Sequence, residues 1–212
     1  MFPQRDILNI LYMALALLVS LSFHEASHAL VANSLGDDTA RLRGRLTLNP
    51  LAHLDPVGAL VMIISSIAGI GIGWAKPVPV NPYNLKRGLL AQLPNAPLVG
   101  MAIVAIAGPI TNLILAAITV QLLPLTGLPQ PLLLTFLRVN VILAIFNMIP
   151  IPPLDGYRVL LGLLPTGPGY TLARLEQYGP GLLMVMVFLL PQVLSNILGF
   201  FAPPVLHLIG AL

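Results

Sequence analysis

The chain has 212 residues, 57% of them hydrophobic and only 8% charged, with 10 basic against 7 acidic side chains, a net charge of +3, a pI near 9.6 and a mean hydropathy of +0.93. A soluble domain of this length needs far more charge to cover its surface, so the composition points to a polytopic membrane protein. The bases are sparse and spread among apolar segments, which argues against a nucleic-acid partner, and the absence of cysteine excludes thiolate metal sites and disulfides.

The first predicted element is a membrane helix over 7–32. It is read as retained and not as a signal peptide, because the apolar run continues through Phe23 and Ala29 without a small-residue cleavage site. Next, in "ARLRGRLTLNPLAHLDP", Leu42, Leu46 and Leu48 alternate with Arg41, Arg43 and Arg45 around Gly44, a period of two that predicts a short β-hairpin at the membrane surface. The apolar stretch 57–75 holds Gly58, Gly69, Gly71, Gly73, Ser65 and Ser66, a density that weakens a helix and predicts a re-entrant segment. Prolines 77, 79 and 82 in "WAKPVPVNPYNLKRG" forbid a helix and favour an extended path, with Trp74 and Tyr83 marking the membrane interface.

Three further helices are expected over 97–123, 131–149 and 180–201, the last kinked or broken at Pro191, while 203–212 is too short to cross alone. The fold class is therefore an all-α polytopic bundle with a surface β-hairpin and a re-entrant segment. No repeat and no appended soluble domain interrupt a single integral-membrane domain over 1–212.

His24, Glu25 and His28 form H-E-x-x-H. Residues four apart lie about 40° apart around a helix, so both imidazoles share a face and can bind one metal, while Glu25 lies beside that face as a general base. Zinc then needs a third protein ligand and an open fourth position. Asp6, Asp37 and Asp38 read as loop or terminal residues, Glu176 lies in a polar stretch, and Asp55 precedes Pro56 as a helix N-cap. Asp155 remains, in "FNMIPIPPLDGYRVL", where prolines 150, 152 and 153 interrupt the helix and an aspartate is a functional candidate.

"FHEASH", "AGPITN" and "NMIPIPPLDG" resemble the H-E-x-x-H, A-G-P-x-x-N and N-x-x-P-x-x-x-L-D-G motifs of the site-2 protease family, peptidase family M50, of intramembrane zinc metalloproteases. The resemblance covers a catalytic core over 7–160. "LTLNPLAHLDPVG" and "GWAKPVPVNP" are similar to segments of the short form without PDZ or CBS domains. It implies Zn²⁺ on His24, His28 and Asp155, Glu25 as catalytic acid/base, and Asn112 and Asn147 as polar groups near substrate or oxyanion. It also implies transmembrane protein substrates cleaved in the lipid bilayer and a multi-pass protein of a prokaryotic cell membrane. A second copy of the chain stays open as a partner. Tyr157 follows Gly156 where the family often has a second glycine, a departure that bears on loop packing.

Plainer roles compete at each position. The histidines could be a hydrogen-bonded pair without metal, Asp155 a helix cap, and Asn112 interhelical glue beside Gly108. His53 and Asp55 need only be a loop histidine and a cap, and His207 structural. At the level of function, a metal-ion or proton transporter using the His/Asp cluster and a non-catalytic protease-like scaffold are the alternatives.

Orientation follows from parity. The first helix and 131–149 must end on the same side for their residues to meet, which requires 57–75 not to cross. Arg41, Arg43, Arg45, Lys76, Lys86, Arg87, Arg158 and Arg174 then share one face, opposite Arg5 and Arg138, and that face is expected to be cytoplasmic with the active site towards it.

Overall fold

The computed structural model describes residues 4–56, 58, 60, 76–86, 88–125 and 127–211. The predicted re-entrant stretch 57–75 lies outside the described residues except for Gly58 and Leu60. The long elements are α1 (Gln4–Ser34), α4 (Ala96–Leu122) and α5 (Gln130–Asn147), each long and apolar enough to cross a membrane. Short helices α2 (Thr39–Leu42) and α3 (Pro50–His53) follow α1, and α6 (Asp155–Leu163) and α7 (Thr166–Ala173) follow α5.

α4 lies between the other two. Its inner face carries Gly100, Ala105, Gly108, Asn112, Ala116 and Thr119, all buried, and α1 answers with buried Ala16, Ser20, Ala26, Ala29 and Ala32. Small side chains let helix backbones approach where lipid offers no hydrophobic drive for association. The outer face of α4 shows Ile103, Ile106, Ile110, Ile114 and Ile118, an exposed apolar stripe at helical spacing. Contacts of α4 pair His24 with Asn112 and His28 with Val104 on α1, and Ala116 with Leu137 on α5. Hence α1 and α5 run parallel, both antiparallel to α4.

The expected surface hairpin is a correction: no sheet forms among the described residues, and this stretch folds as α2 and α3. Gly44 terminates α2 with φ +66°, its N–H donating to the Arg41 carbonyl at 3.0 Å while Arg45 N–H reaches Ala40 at 2.8 Å. Those two bonds are the Schellman end of a helix. Arg45 does not alternate outward either, since it is buried and its guanidinium donates to the Ala52 carbonyl, joining α2 to α3. The glycine that reads as a hairpin tip is a helix stop.

Residues 76–81 form neither helix nor sheet, as the prolines require. Lys76 N–H donates to the His53 carbonyl at 2.8 Å, and Lys86 N–H to Leu35 at 3.1 Å, so this strap is docked beside the C-terminal end of α1. Between them, fully buried Asp37 accepts from Thr39 N–H at 3.2 Å, Thr39 Oγ1 at 2.5 Å, Asn81 N–H at 2.7 Å and Asn84 Nδ2 at 3.1 Å. Asp37 is a loop residue, as expected, but a buried one, and it joins α1, α2 and the strap.

Towards the C-terminus, α8 (Gly179–Met184) runs through a π-helical turn, Val185–Leu189, into α9 (Pro191–Leu208). The chain bends by 87° at Leu190, so the break expected at Pro191 is present, and the segments on either side of it, Thr166–Leu189 and Pro191–Leu208, together are long and apolar enough for a fourth crossing. α9 carries Leu198, Ala202, Val205 and Leu206 onto Leu137, Val141 and Ile145 of α5.

Candidate metal centre

The helical period of α1 puts His24 and His28 on its buried side, with ring centroids 4.6 Å apart and planes at 88°. Gly108 of α4 faces them. A Cβ there would stand 2.5 Å from His24 Nε2 and 2.6 Å from His28 Nε2, so glycine is the condition for this approach. The next residue, Pro109, has no N–H for the Ala105 carbonyl and loosens the preceding turn. In that turn the Val104 carbonyl accepts from His28 Nδ1 at 2.7 Å.

Asp155 enters from the other side. After Asn147 the chain leaves α5 through Pro150, Pro152 and Pro153 and restarts at Asp155, the first residue of α6. Gly156 packs so closely on the end of α5 that a Cβ would collide with the Met148 and Ile149 carbonyls. The anomalous Tyr157 settles this loop: it is buried, and its hydroxyl donates to the Leu172 carbonyl at 2.6 Å, tying α6 to α7. Burial, aided by the charge of Glu176, pushes its phenol above the usual range.

Asp155 Oδ2 lies 3.1 Å from His24 Nε2 and 3.4 Å from His28 Nε2. It is buried and makes no well-formed hydrogen bond. Both imidazoles have Nδ1 against an oxygen: Val104 for His28, and Asn112 Oδ1 at 2.6 Å for His24. With Nδ1 as donor, each neutral imidazole presents a lone pair at Nε2, so two lone pairs and a carboxylate oxygen converge in a buried site. Such an arrangement repels itself unless a cation sits among the three atoms. Adjacent corners of a zinc tetrahedron with bonds of about 2.0–2.1 Å are roughly 3.3–3.4 Å apart, close to the separations seen. Among the described residues, His24, His28 and Asp155 are the group of three such side chains able to share a metal ion, and the donor set fits Zn²⁺.

Glu25 stands half-buried beside this group, and its Oε2 accepts the Val78 N–H of the strap at 3.0 Å. Asn112 is fully buried and spent on His24, Ser20 and Asn140. Asn147 is half-buried, with Nδ2 donating to the Leu143 carbonyl at 3.0 Å. His53 and Asp55 stay outside the group: His53 Nε2 bonds to the Thr47 carbonyl at 2.8 Å, and Asp55 Oδ1 accepts Gly58 N–H at 2.8 Å, as a cap does. The sequence reading missed Asn140 and the Val104 carbonyl. Asn140 had a signal, a buried-side amide in an apolar helix; a backbone carbonyl has none.

Apolar helices of crossing length around two histidines, an aspartate and an adjacent glutamate define a membrane-protein class with a candidate zinc site of the metalloprotease type. The profile of peptidase family M50 matches residues 12–127. YwhC of Bacillus subtilis (strain 168) is 41% identical over 181 residues, 79% of this chain and 76% of its own length. Rip2 of Mycolicibacterium smegmatis (strain ATCC 700084 / mc(2)155) is 33% identical over 186 residues, 84% of this chain and 66% of its own. Rip2 of Mycobacterium tuberculosis (strain ATCC 25618 / H37Rv) is 31% identical over 185 residues, 83% of this chain and 66% of its own. All three names assign them, provisionally, to the zinc metalloproteases. No solved structure matches the chain. The chain belongs to peptidase family M50, the site-2 protease family, and is a zinc metalloprotease. That membership favours peptide hydrolysis over the ion-transport and scaffold alternatives.

Proposed function

We propose that this metalloprotease cleaves transmembrane segments of membrane proteins inside the bilayer, with His24, His28 and Asp155 as zinc ligands and Glu25 as the acid/base. The observation that carries the reading is the depth of the site. His28 and His24 stand six and ten residues before Ser34, the end of α1, or about 9 and 15 Å inward at a rise of 1.5 Å per residue.

Zinc held there supplies Lewis acidity, polarising the scissile carbonyl and making water a stronger acid. Glu25 takes the proton of the attacking water and returns it to the leaving amine nitrogen. The Val78 N–H occupies one carboxylate oxygen and so aims the other. Asn147 keeps one amide hydrogen beyond its bond to Leu143 and can offer it to the oxyanion, while Asn112 acts on the site through His24. A substrate helix hides its carbonyls in i to i+4 bonds and must unwind before attack. The proline-fixed strap beside Glu25 offers an extended edge for such a segment.

The strap, α2 and α3 gather Arg41, Arg43, Arg45, Lys76 and Lys86 at the C-terminal end of α1, which by the positive-inside rule is the cytoplasmic side. The test is cleavage of a model transmembrane substrate by the purified, zinc-loaded protein in liposomes. Products cut within the apolar segment support the proposal, and cleavage confined to soluble peptides refutes it.

A further inference from the structure

The geometry points to Asn140 as a positioning residue of the metal centre, acting through Asn112 to set which nitrogen of His24 faces the metal. The inference rests on the ligand assignment above and extends it to a residue on α5 whose hydrogen bonds go to Asn112 and Phe136 and not to a ligand.

A backbone carbonyl only accepts, so the side-chain atom of Asn140 lying 2.9 Å from the Phe136 carbonyl is its amide nitrogen. Its oxygen therefore points the other way, and the partner 2.8 Å from it, on Asn112, is a donor, Nδ2. The Ser20 carbonyl, 3.4 Å from the same Nδ2, requires the same orientation. Asn112 Oδ1 is then left to face His24 Nδ1 at 2.6 Å, and Nδ1 must carry the proton. His24 Nε2 consequently holds a lone pair towards Asp155 Oδ2 and His28 Nε2.

Each link is buried: Asn112 and Asn140 are 0% exposed and His24 3%. Water cannot easily replace a missing partner there, and an amide flipped by half a turn would set NH₂ against Nδ1 and favour the other tautomer. Three helices contribute to the chain of bonds, Phe136 and Asn140 from α5, Asn112 from α4 and His24 from α1. The polarity of the chain fixes the ligand, and its links fix the helices around it. His28 needs no such relay, since a carbonyl receives its Nδ1 directly.

The experiment compares Asn140→Leu and Asn140→Asp in the purified full-length chain by zinc affinity, from chelator competition, and by the visible absorption of the cobalt-substituted protein. Leucine keeps the branched shape of asparagine without its polarity. Zinc affinity is expected to fall about 10- to 100-fold, with an altered cobalt spectrum. Aspartic acid, kept neutral by this apolar site, donates to Phe136 and accepts from Asn112, so it should restore most of the affinity and the wild-type spectrum. Wild-type affinity and spectrum in Asn140→Leu overturn the relay, as does an equal loss in both variants, which would assign Asn140 to packing alone. If Asn140→Leu does not fold, a changed cobalt spectrum in Asn140→Asp overturns it and an unchanged one supports it. His24→Ala separates the two levels: if it binds zinc like the wild type, the ligand assignment has failed and the relay falls with it, whereas loss of zinc in His24→Ala beside wild-type behaviour of Asn140→Leu overturns the relay alone.

Discussion

The backbone N–H of Val78 donates to Glu25 Oε2 at 3.0 Å. Pro77 and Pro79 flank Val78 and restrict the backbone around it, so the direction of that N–H is built into the strap. The strap thus holds the proposed acid/base from outside its own helix.

Replacing Glu25 with glutamine should leave this bond in place, because the amide oxygen still accepts from Val78. Zinc content, read by elemental analysis, should match the wild type, while hydrolysis falls by at least the 10² to 10⁴ that a positioned general base supplies. Residual activity within about tenfold of wild type, with zinc retained, would remove Glu25 from that role.

Gly108→Ala introduces one methyl against two imidazoles. Because the Cβ would stand 2.5 and 2.6 Å from the two Nε2 atoms, α4 must retreat or the rings must turn, and either change disperses the three converging atoms. Zinc affinity and activity should both collapse, whereas Gly199→Ala, whose Cβ meets open space, should behave as wild type. Normal zinc binding by Gly108→Ala would show that the helices yield more readily than their packing indicates.

Asp155→Ala should weaken zinc binding and proteolysis together, since two histidines alone leave zinc short of its usual protein ligands. Full occupancy in that variant, again by elemental analysis, would place the third ligand elsewhere.

Asp37 predicts an acid limit to stability. Burial pushes its carboxyl upward, but the bonds from Thr39, Asn81 and Asn84 outweigh this and hold it below the ordinary carboxylate range. The unfolded chain therefore takes up the proton first. The stabilisation is complete above the unfolded value of about 3.9 and is lost as pH falls through the lower, folded value. Thermal unfolding of Asp37→Asn should lack this part of the acid decline and should be lower at pH 7 by about 1–3 kcal/mol, the cost of disrupting a buried charged hydrogen-bond acceptor. Parallel pH profiles for the two proteins would count against it.

Cysteines introduced at Leu42 and Leu125, both well exposed and on opposite ends of the bundle, should label from opposite sides of the membrane, Leu42→Cys from the cytoplasm. The chain has no native cysteine to confuse the result. Labelling of both from one side would contradict the three-helix arrangement.

The three long helices were legible because crossing length and continuous apolarity need no tertiary information. Their observed limits, Gln4–Ser34, Ala96–Leu122 and Gln130–Asn147, differ from the expected ones by at most three residues. The candidate trio was legible as well, since charged and imidazole groups are scarce in apolar sequence. The region 40–56 was misread because a Gly between alternating Leu and Arg is compatible with both a hairpin tip and a helix stop. Arg45 decides between them by being buried on Ala52, a contact that leaves no trace in a periodicity. Asp37 was passed over for a related reason: an acid following Gly36 looks like solvent-exposed loop until Asn81 and Asn84 arrive from the strap.

The bond from Lys76 N–H to the His53 carbonyl brings together the two ends of an excursion of more than twenty residues. Lys86 N–H is tied in the same way to the Leu35 carbonyl, so the strap is anchored at both of its ends. Val78 lies between the two anchors, and its N–H therefore meets Glu25 from a fixed support: loosening either end should cost the carboxylate its aim without touching any of the three converging atoms.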